Sequence, residues 1–271
     1  MSEQGFDFGT ARFDLDAEED RAVLRFVLSQ ALFGEATGVY CGRSLYTAET
    51  LEAAQFYVRQ ARQELNHLLL FADILRALDL KPEKAHWVVR MLASHNDYYP
   101  LKVVMEHALG EGMVLDIFRD VLLQTLPEDD ARVPAITKKL KVICNEEAEH
   151  VAWGEKETRR ILAEHPGLKT AFYGLLELQL WLVPYAVRGL ATRAPTHPVL
   201  MKLGPFVEHV KARVWRQGQA LGFVPEQRPG WLARSWAVSR ALGLLVTSRF
   251  VRARSRLDRH YLEQLGFESR D

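Results

Sequence analysis

Long uncharged runs are missing from this 271-residue chain: no stretch of about 18 apolar residues is available for a spanning helix. Cysteine is nearly absent. Two residues, Cys41 and Cys144, are too few for a disulfide framework and fit a reducing, cytoplasmic setting. With no Cys-x-x-Cys pair, a rubredoxin-type electron-transfer module is excluded. The opening MSEQGFDFGTARFDLDAEED is acidic and lacks the apolar stretch of a secretory signal, so residues 1–16 read as a flexible N-terminus. Alternating strand patterns are scarce. What is present is 48% hydrophobic and 26% charged, a globular composition well away from disorder.

The formal net charge of zero hides an asymmetry. Residues 1–166 carry 19 Lys/Arg against 28 Asp/Glu, whereas residues 167–271 carry 16 against 7. That split predicts two functionally different parts, an acidic 17–166 and a basic 167–271.

Apolar residues recur at helical spacing through most of the chain. A first helix is expected from Asp16, where Asp16 and Glu19 form a capping-box pattern, to about Ser44. A second should start near Thr47 and stop before Pro82, and a third should follow Pro100 and end at Pro127. A fourth should run from Pro134 to the His165-Pro166-Gly167 stop. Residues 81–100 form the longest connection. Further helices are expected near 168–192, 205–221 and 230–265. The fold class is therefore all-α.

Two Glu-x-x-His motifs stand out, Glu64-Leu-Asn-His67 and Glu147-Ala-Glu-His150. Residues three apart share one side of a helix, so carboxylate and imidazole can reach one metal together. The motif alone is weak, since 22 Glu and 9 His yield roughly 0.7 copies by chance. A third copy, Glu83-Lys-Ala-His86, directly follows Pro82 and reads as a decoy. Placement decides. Glu64 shares a face with Tyr57, Ala61, Leu68, Phe71 and Leu75, and Glu147 with Ile136, Leu140, Ile143 and Cys144. Glu35 lies among Leu28, Ala31, Leu32 and Val39, and Glu111 among Val104, Ala108, Leu115 and Phe118. Each of the first four helices thus puts one Glu in its apolar stripe. No Lys or Arg shares those stripes, and unpaired buried charge is very costly.

A pair of divalent metal ions would neutralise the cluster, which makes Glu35, Glu64, His67, Glu111, Glu147 and His150 the candidate ligands. The order Glu, Glu-x-x-His, Glu, Glu-x-x-His is the inventory of di-iron helical bundles, and the long gap from Glu64 to Glu111 leaves room for a crossover between helices two and three. Glu106 is the rival on helix three. On an α-helix it lies roughly 140° from Glu111, so one stripe cannot present both.

The segments FGEATGVYCG, RQELNHLLLF, ALGEGMVLDIF and CNEEAEHVAWG resemble the four metal-binding helices of the ferritin-like di-iron carboxylate superfamily, over residues 17–165. The resemblance implies Glu64 and Glu147 as bridging ligands, Glu35 and Glu111 as terminal ones, and His67 and His150 as nitrogen ligands. Within that superfamily, residues 34–42 and the EEAEH segment are similar to demethoxyubiquinone hydroxylases. Helix three and everything after residue 166 depart from them. Two iron ions are the implied cofactor, with manganese as the alternative at either position. The implied activity is an O2-activating hydroxylase, monooxygenase or oxidase served by an external electron donor. Competing readings are iron oxidation and storage or peroxide scavenging, a di-manganese catalase-like protein, and a non-enzymatic scaffold. Candidates for orienting His67 and His150 are His107, one turn before Glu111, and Tyr57, two turns before Glu64, although ordinary core packing is the leading reading of both.

The basic part argues for an organic substrate, hydrophobic or carrier-bound, because storage needs only four helices. It holds Arg234, Arg240, Arg249, Arg252, Arg254, Arg256 and Arg259 among Trp231, Trp236 and Phe250. A solvated face of a packed amphipathic helix, peripheral contact with anionic lipid, and docking of an acidic carrier protein are the readings of that pattern. Nucleic acid is disfavoured, because no recognition motif accompanies the charge. Glu177, Pro184 and Arg188 argue against residues 173–191 crossing a membrane.

Overall fold

A computed structural model describes residues 5–86, 98–191 and 197–248. It is all-helical there, as the periodicity predicts. Helix α1 spans Glu18–Gly38. The Asp16/Glu19 capping pair is not used: Ala17 is the N-cap, and Asp14 accepts from the backbone N–H of Asp16 at 2.9 Å and of Ala17 at 3.3 Å. This upstream Asx turn orders the approach to the helix instead. Past Gly38 the chain tightens into a 3-10 helix, Val39–Tyr46, so the α-helix ends before Ser44.

Helix α2 spans Leu51–Ala77. Its cap is Thr50 rather than Thr47, the hydroxyl accepting from the Ala53 N–H at 3.1 Å. It stops at a left-handed residue, Asp79 at φ 50°, with the Leu80 N–H reaching back to the Leu75 carbonyl at 2.8 Å. The chain has therefore left the helix before Pro82.

Helix α3, residues 99–125, is a rod of changing pitch. It begins α-helical at Tyr99–Lys102, is π-helical over Val103–Gly110, returns to α at Glu111–Asp116, is π-helical again over Ile117–Leu122 and closes with Leu123–Thr125. Helix α4 spans Val133–Glu164, with Pro134 in its first turn as expected.

Cross-links give the directions. Glu35 meets His67 between α1 and α2. Between α2 and α4, Glu52 meets Lys156, His67 meets Glu146 and Asp73 meets Lys139, so these helices are antiparallel. Between α3 and α4, Tyr99 bonds Glu157, while Gly154 abuts His107. Helices α2 and α3 therefore run parallel, and only a long crossover can join them. Its first part lies along α1: the Glu83 N–H donates to Ser29 Oγ at 2.9 Å and Arg25 pairs with Glu83 at 3.0 Å. The Glu83-Lys-Ala-His86 motif sits in this non-helical stretch, where spacing of three no longer aligns two side chains.

The acidic leader is not loose over residues 5–16. Phe8, Phe13 and Leu15 are buried, the Phe6 N–H donates to Asp120 Oδ2 at 2.9 Å, and the Phe13 N–H donates to the Thr125 carbonyl at 2.8 Å. Phe6 and Phe8 also pack on Phe206. Three aromatic anchors outweigh the charges between them. Phe8→Ala should cost about 3–5 kcal/mol in urea unfolding, the range for truncating a fully buried Phe.

After a 3-10 turn, Pro166–Leu168, come α5 (Lys169–Ala191), the short α6 (Pro198–Met201), α7 (Leu203–Ala220) and α8 (Trp231–Ser248). Helix α8 packs across α5 at Gly174, where any Cβ would strike the backbone of Ala237. Glu177 is buried there and accepts from Tyr173 Oη at 2.7 Å, Arg234 Nη2 at 2.8 Å and Arg228 Nη2 at 3.3 Å. Arg234, itself half-exposed, thus pairs with a buried carboxylate. Arg249, Arg252, Arg254, Arg256, Arg259 and Phe250 lie outside the described residues. Among the described residues no helix is long and apolar enough to cross a membrane.

Candidate metal centre

The six expected residues meet at the waist of the α1–α4 bundle, none more than 9% exposed. Glu35, Glu64, His67 and Glu147 form one group whose ligand atoms lie within 4.8 Å of one another. Glu64, Glu111 and His150 form a second, so Glu64 belongs to both. His67 Nδ1 lies 3.2 Å from Glu35 Oε2 and 3.1 Å from Glu147 Oε1. His150 Nδ1 lies 3.6 Å from both Glu64 Oε1 and Glu147 Oε2, and 3.9 Å from Glu111 Oε1.

Both imidazoles turn Nδ1 inward and Nε2 outward. Nε2 of His67 meets Glu146 Oε2 at 2.7 Å, and Nε2 of His150 meets Gln63 Oε1 at 2.9 Å. With acceptors outside, Nε2 carries the proton and Nδ1 is left to face a metal. The arrangement is reciprocal: the residue before the Glu of each motif holds the His of the other helix. Sequence reasoning missed Gln63 and Glu146. The available signal was a hydrogen-bond acceptor directly preceding each Glu-x-x-His. Gln60, one turn before Glu64, was missed too; its Nε2 donates to Glu111 Oε1 at 2.7 Å and to Glu64 Oε1 at 3.2 Å.

His107 and Tyr57 are buried nearby but do not orient the two imidazoles. His107 Nδ1 lies 3.0 Å from Glu111 Oε1, and its Nε2 has no hydrogen-bond partner. The Tyr57 hydroxyl is buried without a partner, its ring 5.6 Å from that of His107. The π turn corrects the reading of Glu106. With i→i+5 bonding, five residues come close to a full revolution, so Glu106 returns towards the face of Glu111. Ligand atoms of Glu106, His107 and Glu111 indeed lie within 4.8 Å of one another. Glu106 is paired with Lys102. Gly110 permits the turn: a Cβ there would stand 2.7 Å from the Met105 carbonyl oxygen.

Burial, reinforced by the neighbouring Glu35 charge, holds the Glu64 carboxyl well above the usual range. Burial does the same for Glu111, against the pull of His150, and also raises Glu35 against its bond from His67. Glu147 is the exception: burial would raise it, but His150 and His67 together draw it down to about 2. Burial would lower His67, yet Glu147 and Glu35 lift it to about 10. His150 is likewise raised, Glu147 outweighing its burial. For His107 burial prevails over the neighbouring Glu106 charge and takes it down to about 4. A cluster that gathers protons in this way is short of positive charge.

The residues fit a metal pair on two counts. Among the described residues no Lys or Arg forms an ion pair with Glu35, Glu64, Glu111 or Glu147. Two inward atoms, Glu111 Oε2 and His150 Nδ1, are buried with no hydrogen-bond partner. Carboxylate oxygens and imidazole nitrogens suit iron or manganese. Gly38 makes the room, since a Cβ there would collide with the Glu64 carboxylate. Gly38→Ala should therefore lower metal affinity by about 10- to 100-fold in an anaerobic titration, the range for groups that orient a ligand.

No family model matches the chain, and no curated protein matches it. Among solved structures it is similar to "Protein 19 with aldehyde deformylating oxidase activity from Synechococcus", with a TM-score of 0.60 at 15% identity, covering 87% of this chain and 100% of that one. The chain has the ferritin-like all-helical fold, and its waist holds a carboxylate–histidine cluster compatible with a di-iron site.

Proposed function

We propose that this chain is an O2-activating non-haem di-iron oxidoreductase acting on a hydrophobic or carrier-bound organic substrate. The observation that carries the reading is the convergence of four buried glutamates and two inward Nδ1 atoms without a Lys or Arg partner among the described residues. Glu35 and Glu111 would hold one ion each, Glu64 and Glu147 both, and His67 and His150 one each. Iron bound there supplies the electrons for O2 reduction. The protein's own part is orientation and dryness. Glu146 and Gln63 fix the two imidazoles, and Gln60 ties Glu64 to Glu111. The stacked Phe56–Trp153 pair, with Tyr57 and Phe71, excludes water along the bundle axis.

A neighbour of the same fold carries an aldehyde deformylating oxidase activity, so this architecture can house an oxidase. An organic substrate is favoured over storage because α5 and α7 lie directly on α3: Gln179 and Gln217 donate to its backbone beside Glu111. An external donor would supply further electrons. The test is anaerobic ferrous loading followed by O2 with a panel of apolar aldehydes, alcohols and quinones. Faster O2 uptake with one of them, at two irons per chain, is expected. Uptake of many irons per chain with no organic product would replace this reading by storage.

A further inference from the structure

We infer that the C-terminal helices act on the metal centre through two glutamines, Gln179 and Gln217, which hold the π-helical turn of α3 and thereby place Glu111. The inference rests on the di-metal reading above. A π segment within an α-helix is rare and is retained where its surroundings hold it. The turn over Val103–Gly110 is held from two sides. On the α4 side Gly154 lets the helices close up: a Cβ there would stand 2.6 Å from His107 Cβ and 2.7 Å from the Ala108 nitrogen. A second hold comes from the C-terminal part. Gln179 Nε2 of α5, 6% exposed, donates to the Met105 carbonyl at 3.2 Å. Gln217 Nε2 of α7 donates to the Ala108 carbonyl at 2.8 Å and to Glu155 Oε1 at 2.9 Å. The two carbonyls bracket Glu106 and His107.

Gln217 is itself placed. Its Oε1 accepts from Arg213 Nη1 at 3.2 Å, and Arg213 Nε reaches Asp116 Oδ2 of α3 at 2.6 Å. Relaxation of the turn to α-helical pitch would swing Glu106 away from the Glu111 face and would rotate Glu111 against the start of α3, where Tyr99 is bonded to Glu157 of α4. Glu111 would then turn away from Glu64 and His150 and lose its fixed orientation. The two metal groups differ in this respect: Glu64, Glu111 and His150 include α3, whereas Glu35, Glu64, His67 and Glu147 do not. The glutamines are positioning residues for one ion of the pair.

The test is anaerobic titration of the full-length chain with manganous ion, read by loss of the free-ion EPR signal, together with amide exchange of the metal-free chain. In a Gln179→Met, Gln217→Met double variant the tighter ion should bind as in the parent, the second about tenfold or more weaker. Amides across residues 105–111 should exchange at least about tenfold faster. Glu177→Gln, which loosens α8 on α5 without touching α3, should lower the melting temperature and leave both ion affinities alone. If the double variant does not fold, each single variant should show part of both effects. Unchanged exchange across 105–111 overturns the inference, as does equal weakening of both ions. A parent chain that binds no manganese or iron defeats the di-metal reading instead, and the exchange measurement then decides the clamp by itself.

Discussion

Glu147→Ala is expected to abolish binding of the metal pair, with affinity falling more than about a hundredfold, beyond what loss of a ligand-orienting group produces. Glu147 lies 3.1 Å from the inward nitrogen of His67 and 3.6 Å from that of His150, so it touches both halves of the cluster. Glu64 is shared in the same way and its Ala variant should behave alike. Glu35→Ala and Glu111→Ala, each beside only one of the two imidazoles of the Glu-x-x-His motifs, should leave one ion bound. The contrast between shared and unshared glutamates is the informative part. Metal analysis after anaerobic loading reads it directly, and normal metal content in Glu147→Ala would remove that residue from the ligand set.

The second large effect is on stability. The metal-free chain should melt at progressively lower temperature as pH rises from about 7 to about 9, and metal should reverse the trend. Glu64 and Glu111 are held well above the usual carboxylate range by burial, and His67 is lifted to about 10 by Glu147 and Glu35. In this window folded His67 keeps a proton that the unfolded chain has released, so its contribution is lost as pH rises. Glu147, drawn down to about 2, is ionised in both states there, and His107, down to about 4, is neutral in both. Neither alters the sign. Divalent ions take the place of the protons, so metal should stabilise more at the higher pH, by about 2.7 kcal/mol at a hundredfold excess over Kd. Calorimetry of the metal-free and manganese-loaded chain checks this. A metal-free melting temperature that rises with pH would contradict it.

The four glutamates and two histidines were legible because helical period places each in an apolar stripe that offers no cation. The parallel α2 and α3 followed from the long gap between Glu64 and Glu111. The π turn was not legible, since i→i+5 bonding leaves little trace in the sequence beyond Gly110, and that placed Glu106 on the wrong side. Gln63 and Glu146 acquire meaning only once the register of α2 against α4 is known. The order of residues 5–16 was hidden by Asp7, Asp14 and Asp16, while the deciding contacts are distant ones, to Phe206 and the end of α3. Likewise Glu177 reads locally as an obstacle to a membrane span, whereas Arg234, nearly sixty residues later, is its partner.

The most direct measurement is anomalous X-ray scattering from crystals loaded anaerobically with iron or manganese. Two peaks are predicted between α1–α2 and α3–α4, one beside Glu35 and His67, the other beside Glu111 and His150, with Glu64 and Glu147 between them. A loaded crystal with no peak there, or with those glutamates turned to Arg or Lys partners, would contradict the account.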